Sequence, residues 1–171
     1  VKYVLTYDPS ITAAGIAVFQ EDGELVFYET IKFDKKTSQA ERLYSSLCVI
    51  DATLAMYPGK FRLVFSEKQF MPIMMQMEGV VKAAAGKHKL PVETVTPSSW
   101  KKSAFKKGNI TEDNLKVEVI KRYPQLVNES EHVLDCAGMF IAWENDYKVK
   151  EKERVKNVQA PKANRRRKNV L

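Results

Sequence analysis

The sequence predicts an α/β fold in which a mixed five-stranded sheet, an antiparallel meander extended by parallel strands, carries helices on both faces. Three observations lead there. Residues 2–7 alternate with strand periodicity, and strand-like runs follow at 15–20 and 24–33, separated by Asp8-Pro9-Ser10 and Glu21-Asp22-Gly23. Two short apolar runs, 62–66 (RLVFS) and 92–96 (VETVT), each sit between helical stretches, the arrangement that generates parallel strands. A chain of 171 residues suits one well-buried domain, and it shows no internal repeat and no interdomain linker.

Residues 2–7 place Tyr3, Leu5 and Tyr7 on one face and Val4 and Thr6 on the other. A second strand follows at 15–20 (GIAVFQ) and a third at 24–33, joined by the Asp22-Gly23 hairpin signal. Thr37-Ser38 can cap a helix reaching about Tyr57, with Ala40, Leu43, Tyr44, Leu47, Ile50 and Leu54 as its apolar stripe; Pro58-Gly59 ends it. The fourth strand ends at Glu67, and Pro72 suits the first turn of a Met-rich helix over 72–86. The fifth strand leads into a Lys-rich loop over 97–109, with a short helix at 98–105. Thr111 to Asn114 open the next helix, which Pro124 ends, and a long helix runs from Ser130 past Tyr147. The order β-β-β-α-β-α-β-α-α fits several topologies, the ribonuclease H-like one among them.

The net charge of +7 suggests a polyanionic partner, and its placement is uneven. Residues 148–171 hold ten Lys and Arg against two Glu, a net of +8, so the preceding residues net −1. We therefore divide the chain into a domain over 1–147 and a basic, flexible tail over 148–171. Cys48 and Cys136 fall in apolar helical patterns without metal spacing, and both are expected to be reduced core residues. No signal-peptide pattern and no apolar run of membrane length occurs, which fits a cytoplasmic chain.

The candidate chemistry lies in acids far apart in sequence. Asp8 ends the first strand and Glu67 the fourth; if these strands are parallel neighbours, both carboxylates emerge at one sheet edge, where open α/β sheets place their sites. His132 and Asp135 lie three residues apart on the last helix and share a face. Singly, each has an ordinary reading: a turn residue, a cap, a surface charge. Asp135 stands out because it lies in the apolar run HVLDCAGMFIA, where a charge needs a partner or a metal. Three carboxylates and an imidazole suit Mg²⁺ or Mn²⁺, and two such ions can hydrolyse a phosphodiester.

At these residues the sequence resembles the RuvC family of Holliday-junction resolvases, whose fold is ribonuclease H-like. The motif YDPSITAAGIAV is similar to the family's first strand, turn and Gly-initiated second strand; FSEKQFM to its Glu-bearing stretch; HVLDCAGMFIA to its last motif. The resemblance runs from about residue 3 to 145. It implies Asp8, Glu67, His132 and Asp135 as catalytic metal ligands for Mg²⁺, with Mn²⁺ able to substitute and two ions per site. It implies Phe70 as an aromatic at the junction centre, Lys101 near the scissile phosphate, and Lys102, Lys106 and Lys107 as phosphate contacts. A homodimer through helix 72–86 and four-way DNA as partner follow from the same source, with small phage-encoded members the natural comparison. A family lysine shortly after the glycine is replaced here near Glu112; Lys106 and Lys107 stand just before Gly108. Taken without the resemblance, Phe70 reads as core, with the flanking Lys68-Gln69 and the following Pro72 pointing instead to a rim position, and the lysines read as a solvated loop. Two further functions stay open: a relaxed nuclease cutting forks, flaps and three-way junctions, and a noncatalytic branched-DNA-binding protein. A sugar-kinase fragment does not fit, since the chain is too short for two actin-like domains.

Overall fold

The computed structural model describes the backbone of residues 1–159 and their side chains except those of Ile73, Tyr147, Lys148, Glu151, Lys152 and 154–159. Strands β1 (Tyr3–Asp8), β2 (Ala13–Gln20) and β3 (Leu25–Lys32) form the expected antiparallel meander. Strands β4 (Phe61–Glu67) and β5 (Val92–Val95) extend it in parallel, in the order β3-β2-β1-β4-β5. Helix α1 (Gln39–Met56) starts at Ser38 with a reciprocal cap: the Ser38 hydroxyl accepts from the Glu41 N–H, and the Glu41 carboxylate accepts from the Ser38 N–H at 2.8 Å. Helix α2 (Pro72–Lys87) begins on its proline.

Strand alternation splits the interior into two cores. Leu5, Tyr7, Ile16 and Val18 face α1 and α2, meeting Ile50, Leu54, Val81 and Ala84. Val4, Ala17, Phe19 and Phe65 face α3 (Pro97–Phe105), α4 (Glu112–Arg122) and α5 (Glu131–Gln159), meeting Trp100, Leu115, Val119, Val133 and Phe140. Asp8 and Glu67 share the parity of Val4 and Phe65, so both belong to the α5 face.

One expectation is corrected. Cys48 is exposed, whereas Cys136 is buried and donates to the Thr6 carbonyl at 3.7 Å. The reason is the angular width of the α1 stripe. Its buried line runs through Ile50 and Leu54, which leaves Ala40, Tyr44 and Cys48 on the outer flank. The short helix expected within the Lys-rich stretch is α3, which Thr96 caps by accepting from the Ser99 N–H and whose first turn holds Pro97. Helix α5 continues to Gln159, so residues 148–159 of the basic segment have a helical backbone; residues 160–171, with the rest of the expected flexible tail, lie outside the described residues. Among the described residues no helix is long and apolar enough to cross a membrane.

The approach of α5 to the sheet is set by a glycine. Gly15 pairs with Asp8 across β1 and β2, and a Cβ there would lie 2.3 Å from the His132 carbonyl oxygen. The obstacle is helix backbone, which cannot swing aside as a side chain would. Gly15→Ala is expected to destabilise the protein by about 1–3 kcal/mol or more in urea unfolding, as overpacking does; a change below about 0.5 kcal/mol, the range of an inert surface substitution, would contradict this packing.

Candidate metal and phosphodiester site

The carboxyl edges of β1 and β4 and the first turns of α5 bring the four acid-site residues together. Asp8 is the buried member, at 6% exposure. Its Oδ2 lies 2.6 Å from His132 Nδ1. Asp135, placed in the sequence as the charge inside an apolar helix, is half-buried instead, because its turn of α5 faces the sheet edge while Cys136 and Ala137 face the core. Glu67 lies across the site at the end of β4.

The electrostatic coupling of these side chains reflects one shared neighbourhood. Burial and the Asp8 charge push the Glu67 carboxyl up to about 7. Burial and the same Asp8 charge push Asp135 to about 7. Burial also raises Asp8, against the hydrogen bond and charge of His132. His132 is raised chiefly by its hydrogen bond to Asp8, which favours the protonated ring. Lys101 lies near enough to favour the ionised forms of Asp8, Glu67 and Asp135. Crowded carboxylates in a part-buried site are pushed toward their protonated forms, and a bound cation would favour the ionised ones.

Three residues to which the sequence assigned no role build this arrangement. Fully buried Trp100 donates from Nε1 to Glu67 Oε2 at 2.8 Å. Its indole lies where a Cβ on Gly138 would be 2.6 Å from Cζ3, so a glycine in α5 admits the ring. Arg42 donates to the Ile11 carbonyl at 2.8 Å and to that of Thr37 at 3.0 Å, holding the turn that follows Asp8. A tryptophan opening a helix and a glycine within an apolar helix were the available signals; for Arg42 there was none, since its partners are backbone carbonyls.

The donor set is three carboxylates and one imidazole, oxygen-rich as Mg²⁺ and Mn²⁺ require. Among the described residues no three His, Cys, Asp or Glu groups stand closed around a common centre. His132 Nδ1 engages one Asp8 oxygen, which leaves the other oxygen open to a cation. Charge and donor chemistry thus fit a divalent cation.

The remaining expected residues divide by position. Phe70 is 66% exposed on the loop after β4, with Lys68 Nζ 5.6 Å from its ring centre, a rim rather than a core placement. Lys101 adjoins the carboxylates and the Trp100 ring, at 5.2 Å from its centroid. Lys106 and Lys107 line a groove of about 520 Å³ with Asn109, Thr111 and Asn114 between α3 and α4. Lys102 and Lys106 border another, of about 430 Å³, between α3 and α5. Lys106 borders both grooves and so joins Lys102 to Lys107, whereas Lys101 lies apart beside the carboxylates.

No protein-family model matches the sequence, and no curated protein does. Solved structures do match. Thermus thermophilus RuvC is similar at a TM-score of 0.74 and 18% identity, over 86% of this chain and 96% of that one. T. thermophilus RuvC in complex with Holliday junction substrate gives the same TM-score at 17% identity, over 87% and 96% of the two chains. At such identity the likeness is one of fold, and the chain has the ribonuclease H-like fold of RuvC.

Proposed function

We propose that this chain is a metal-dependent endonuclease that resolves four-way DNA junctions by paired phosphodiester cleavage. The observation that carries the reading is the convergence of Asp8, Glu67, Asp135 and His132 at one sheet edge with Lys101 beside them. The fold shared with RuvC supports branched DNA as the substrate class.

In this reading Asp8, Glu67, Asp135 and His132 hold Mg²⁺, or Mn²⁺ in its place. The bound metal supplies activation of water and neutralisation of charge on the leaving oxygen. Asp8 orients the His132 ring through Nδ1, which leaves Nε2 either to complete the metal's shell or to assist proton transfer. Trp100 Nε1 fixes one Glu67 oxygen, and Gln69 Nε2 reaches the other only at 3.4 Å, a contact a cation can displace. Lys101 offsets charge accumulating on the phosphate, and Lys102, Lys106 and Lys107 bind flanking phosphates. Phe70 presents its ring to an unpaired base, a stacking contact of roughly 1–3 kcal/mol.

Symmetric cutting of a four-way junction needs two sites related by a two-fold axis. Helix α2 supports a dimer. Met77, Val81, Ala84 and Ala85 are buried against the sheet, while Met75, Gly79, Ala83 and Gly86 are exposed in a second stripe of small and flexible residues. Met75→Glu is expected to convert a dimer into a 19.5 kDa monomer in light scattering; a wild type that is itself monomeric at working concentration would contradict the dimer.

The central test is digestion of labelled mobile and fixed four-way junctions with Mg²⁺, with three-way and flap substrates alongside and cuts mapped on every strand. Paired nicks at symmetric positions are expected. Asp8→Asn or Asp135→Asn should lower the rate by on the order of 10³-fold or more while junction binding persists, as when a major electrostatic contribution is lost. Full Mg²⁺-dependent nicking by either variant would sink the assignment; equal cutting of all branched substrates would favour the relaxed nuclease.

A separate prediction concerns stability without metal. Folded Glu67 and Asp135 keep protons to about 7, whereas their ordinary values are 4.5 and 3.8. The folded state therefore binds more protons than the unfolded state across this interval, and stability falls as pH rises through it. His132, raised in the fold, acts in the same direction, its contribution being lost as pH rises above its folded value. Urea unfolding in chelator is expected to show a loss on the order of 2 kcal/mol between pH 5 and 8, allowing for solvent screening of half-buried groups, and Mg²⁺ should abolish it. Stability that rises with pH in chelator would contradict the crowded-carboxylate reading.

A further inference from the structure

We propose that the C-terminal half of α5 and the adjoining face of α3 form a basic rail that grips the phosphate backbone of a DNA arm at a distance from the bond being cut. The inference rests on the nuclease reading above and states where its substrate runs.

Helix α3 has two basic sides with different surroundings. Lys101 adjoins the carboxylates, whereas Lys102 and Lys106 border the groove between α3 and α5 with Ser99, Ser103 and Asp146. At this groove the two helices are fastened together. Ser103 Oγ donates to Asp146 Oδ1 at 2.7 Å, and Asn145 Nδ2 donates to the Ser103 carbonyl at 3.0 Å. The part of α5 beyond Asp146 thus leaves the domain directly beside Lys102 and Lys106.

That part of the helix begins the chain's basic stretch: residues 148–159 net +3, and residues 160–171 add five more Lys and Arg. Residues 148–159 hold Lys148, Lys150, Lys152, Arg154 and Lys156 against Glu151 and Glu153. Val149 and Lys150 are exposed. Residues 1–147 net −1 and include the acidic site, so they offer a polyanion little long-range attraction. The attraction has to come from residue 148 onward. Of the apolar residues of this stretch, Val149, Val155 and Val158, only the last two stand at helical spacing, too few for the stripe that a membrane or a partner helix needs. Closely spaced cations without an apolar face match a duplex backbone, which carries one charge per roughly 1.7 Å of axis.

Helix geometry sets the reach. From Asp135 to Lys150 is about 22 Å along the axis, and to Gln159 about 36 Å. Along a duplex this corresponds to phosphates roughly 6–10 base pairs from the cleaved bond.

The test compares the full wild-type chain with one carrying Lys148→Gln, Lys150→Gln, Lys152→Gln, Arg154→Gln and Lys156→Gln, since glutamine keeps helix propensity while removing charge. Circular dichroism and urea unfolding check that the variant folds as the wild type does. Binding without divalent metal is measured by anisotropy on hairpin-capped four-way junctions with arms of about 5 or about 16 base pairs, over a range of salt. The wild type is expected to bind the long-armed junction about tenfold or more tightly than the short-armed one; the variant should lose most of that preference, with a salt slope shallower by about 3–4, and match the wild type on short arms within about twofold. A variant that keeps the arm-length preference, or that weakens equally on both junctions, overturns the rail. Mg²⁺ digestion by the wild type in parallel separates the two ideas. Cutting without arm-length dependence removes the rail alone, and no cutting of any branched DNA removes the nuclease reading.

Discussion

Helix α5 can lie against the sheet at the depth it does because residue 15 has no Cβ. The His132 carbonyl occupies the space a side chain would fill, and Gly15 is the cross-strand partner of Asp8. One close contact therefore delivers the first turn of α5 to the end of β1. The hydrogen bond between His132 and Asp8 and the proximity of Asp135 follow from that placement. Gly138 repeats the device a little farther along α5. There the missing Cβ admits the Trp100 ring, and the indole N–H reaches Glu67. Two glycines on different elements set the spacing of a site to which neither contributes a functional group.

The site so formed works against the fold that supports it. Asp8, Glu67 and Asp135 share one part-buried region: burial pushes all three toward their protonated forms, and the Asp8 charge adds to this at Glu67 and Asp135. The cost is tolerated because two apolar cores flank the sheet. Tight aromatic packing, such as Phe19 stacked on Phe140 with centroids 4.2 Å apart, anchors α5 away from the charged edge. The pair Arg122–Glu144, at 2.7 Å, ties α4 to the same helix. Rigid attachment matters more than net stabilisation here, since charges converging in a part-buried region need partners fixed in place.

Helix α5 joins two electrostatic regimes. Its first turns carry His132 and Asp135 into an acidic region, and its last turns carry the basic stretch 148–159. Helix α3 runs beside it and is divided in the same way, with Lys101 toward the acids and Lys102 toward the groove with Asp146. An acidic centre repels a phosphate backbone, so in the proposed function the cations that bring DNA to it must lie close by without neutralising it. Carrying both on the same two helices achieves this separation.

The sequence by itself determined the element order, the strand faces and the ends of β1 and β4, because strand periodicity and turn residues are local properties. It also determined that His132 and Asp135 share a helical face, because spacing on a helix is fixed. It misjudged Cys48 and the outer residues of α1, since an apolar stripe on a helix does not reveal how wide the buried arc is. It overrated the burial of Asp135 relative to Asp8, because neighbours in sequence point in other directions around a helix. Only the tertiary structure decided that Phe70 lies at the rim, that the lysines divide among three surroundings, and that Trp100, Gly138 and Arg42 build the site. These are relations between segments far apart in the chain, fixed by close packing, and no local pattern encodes them.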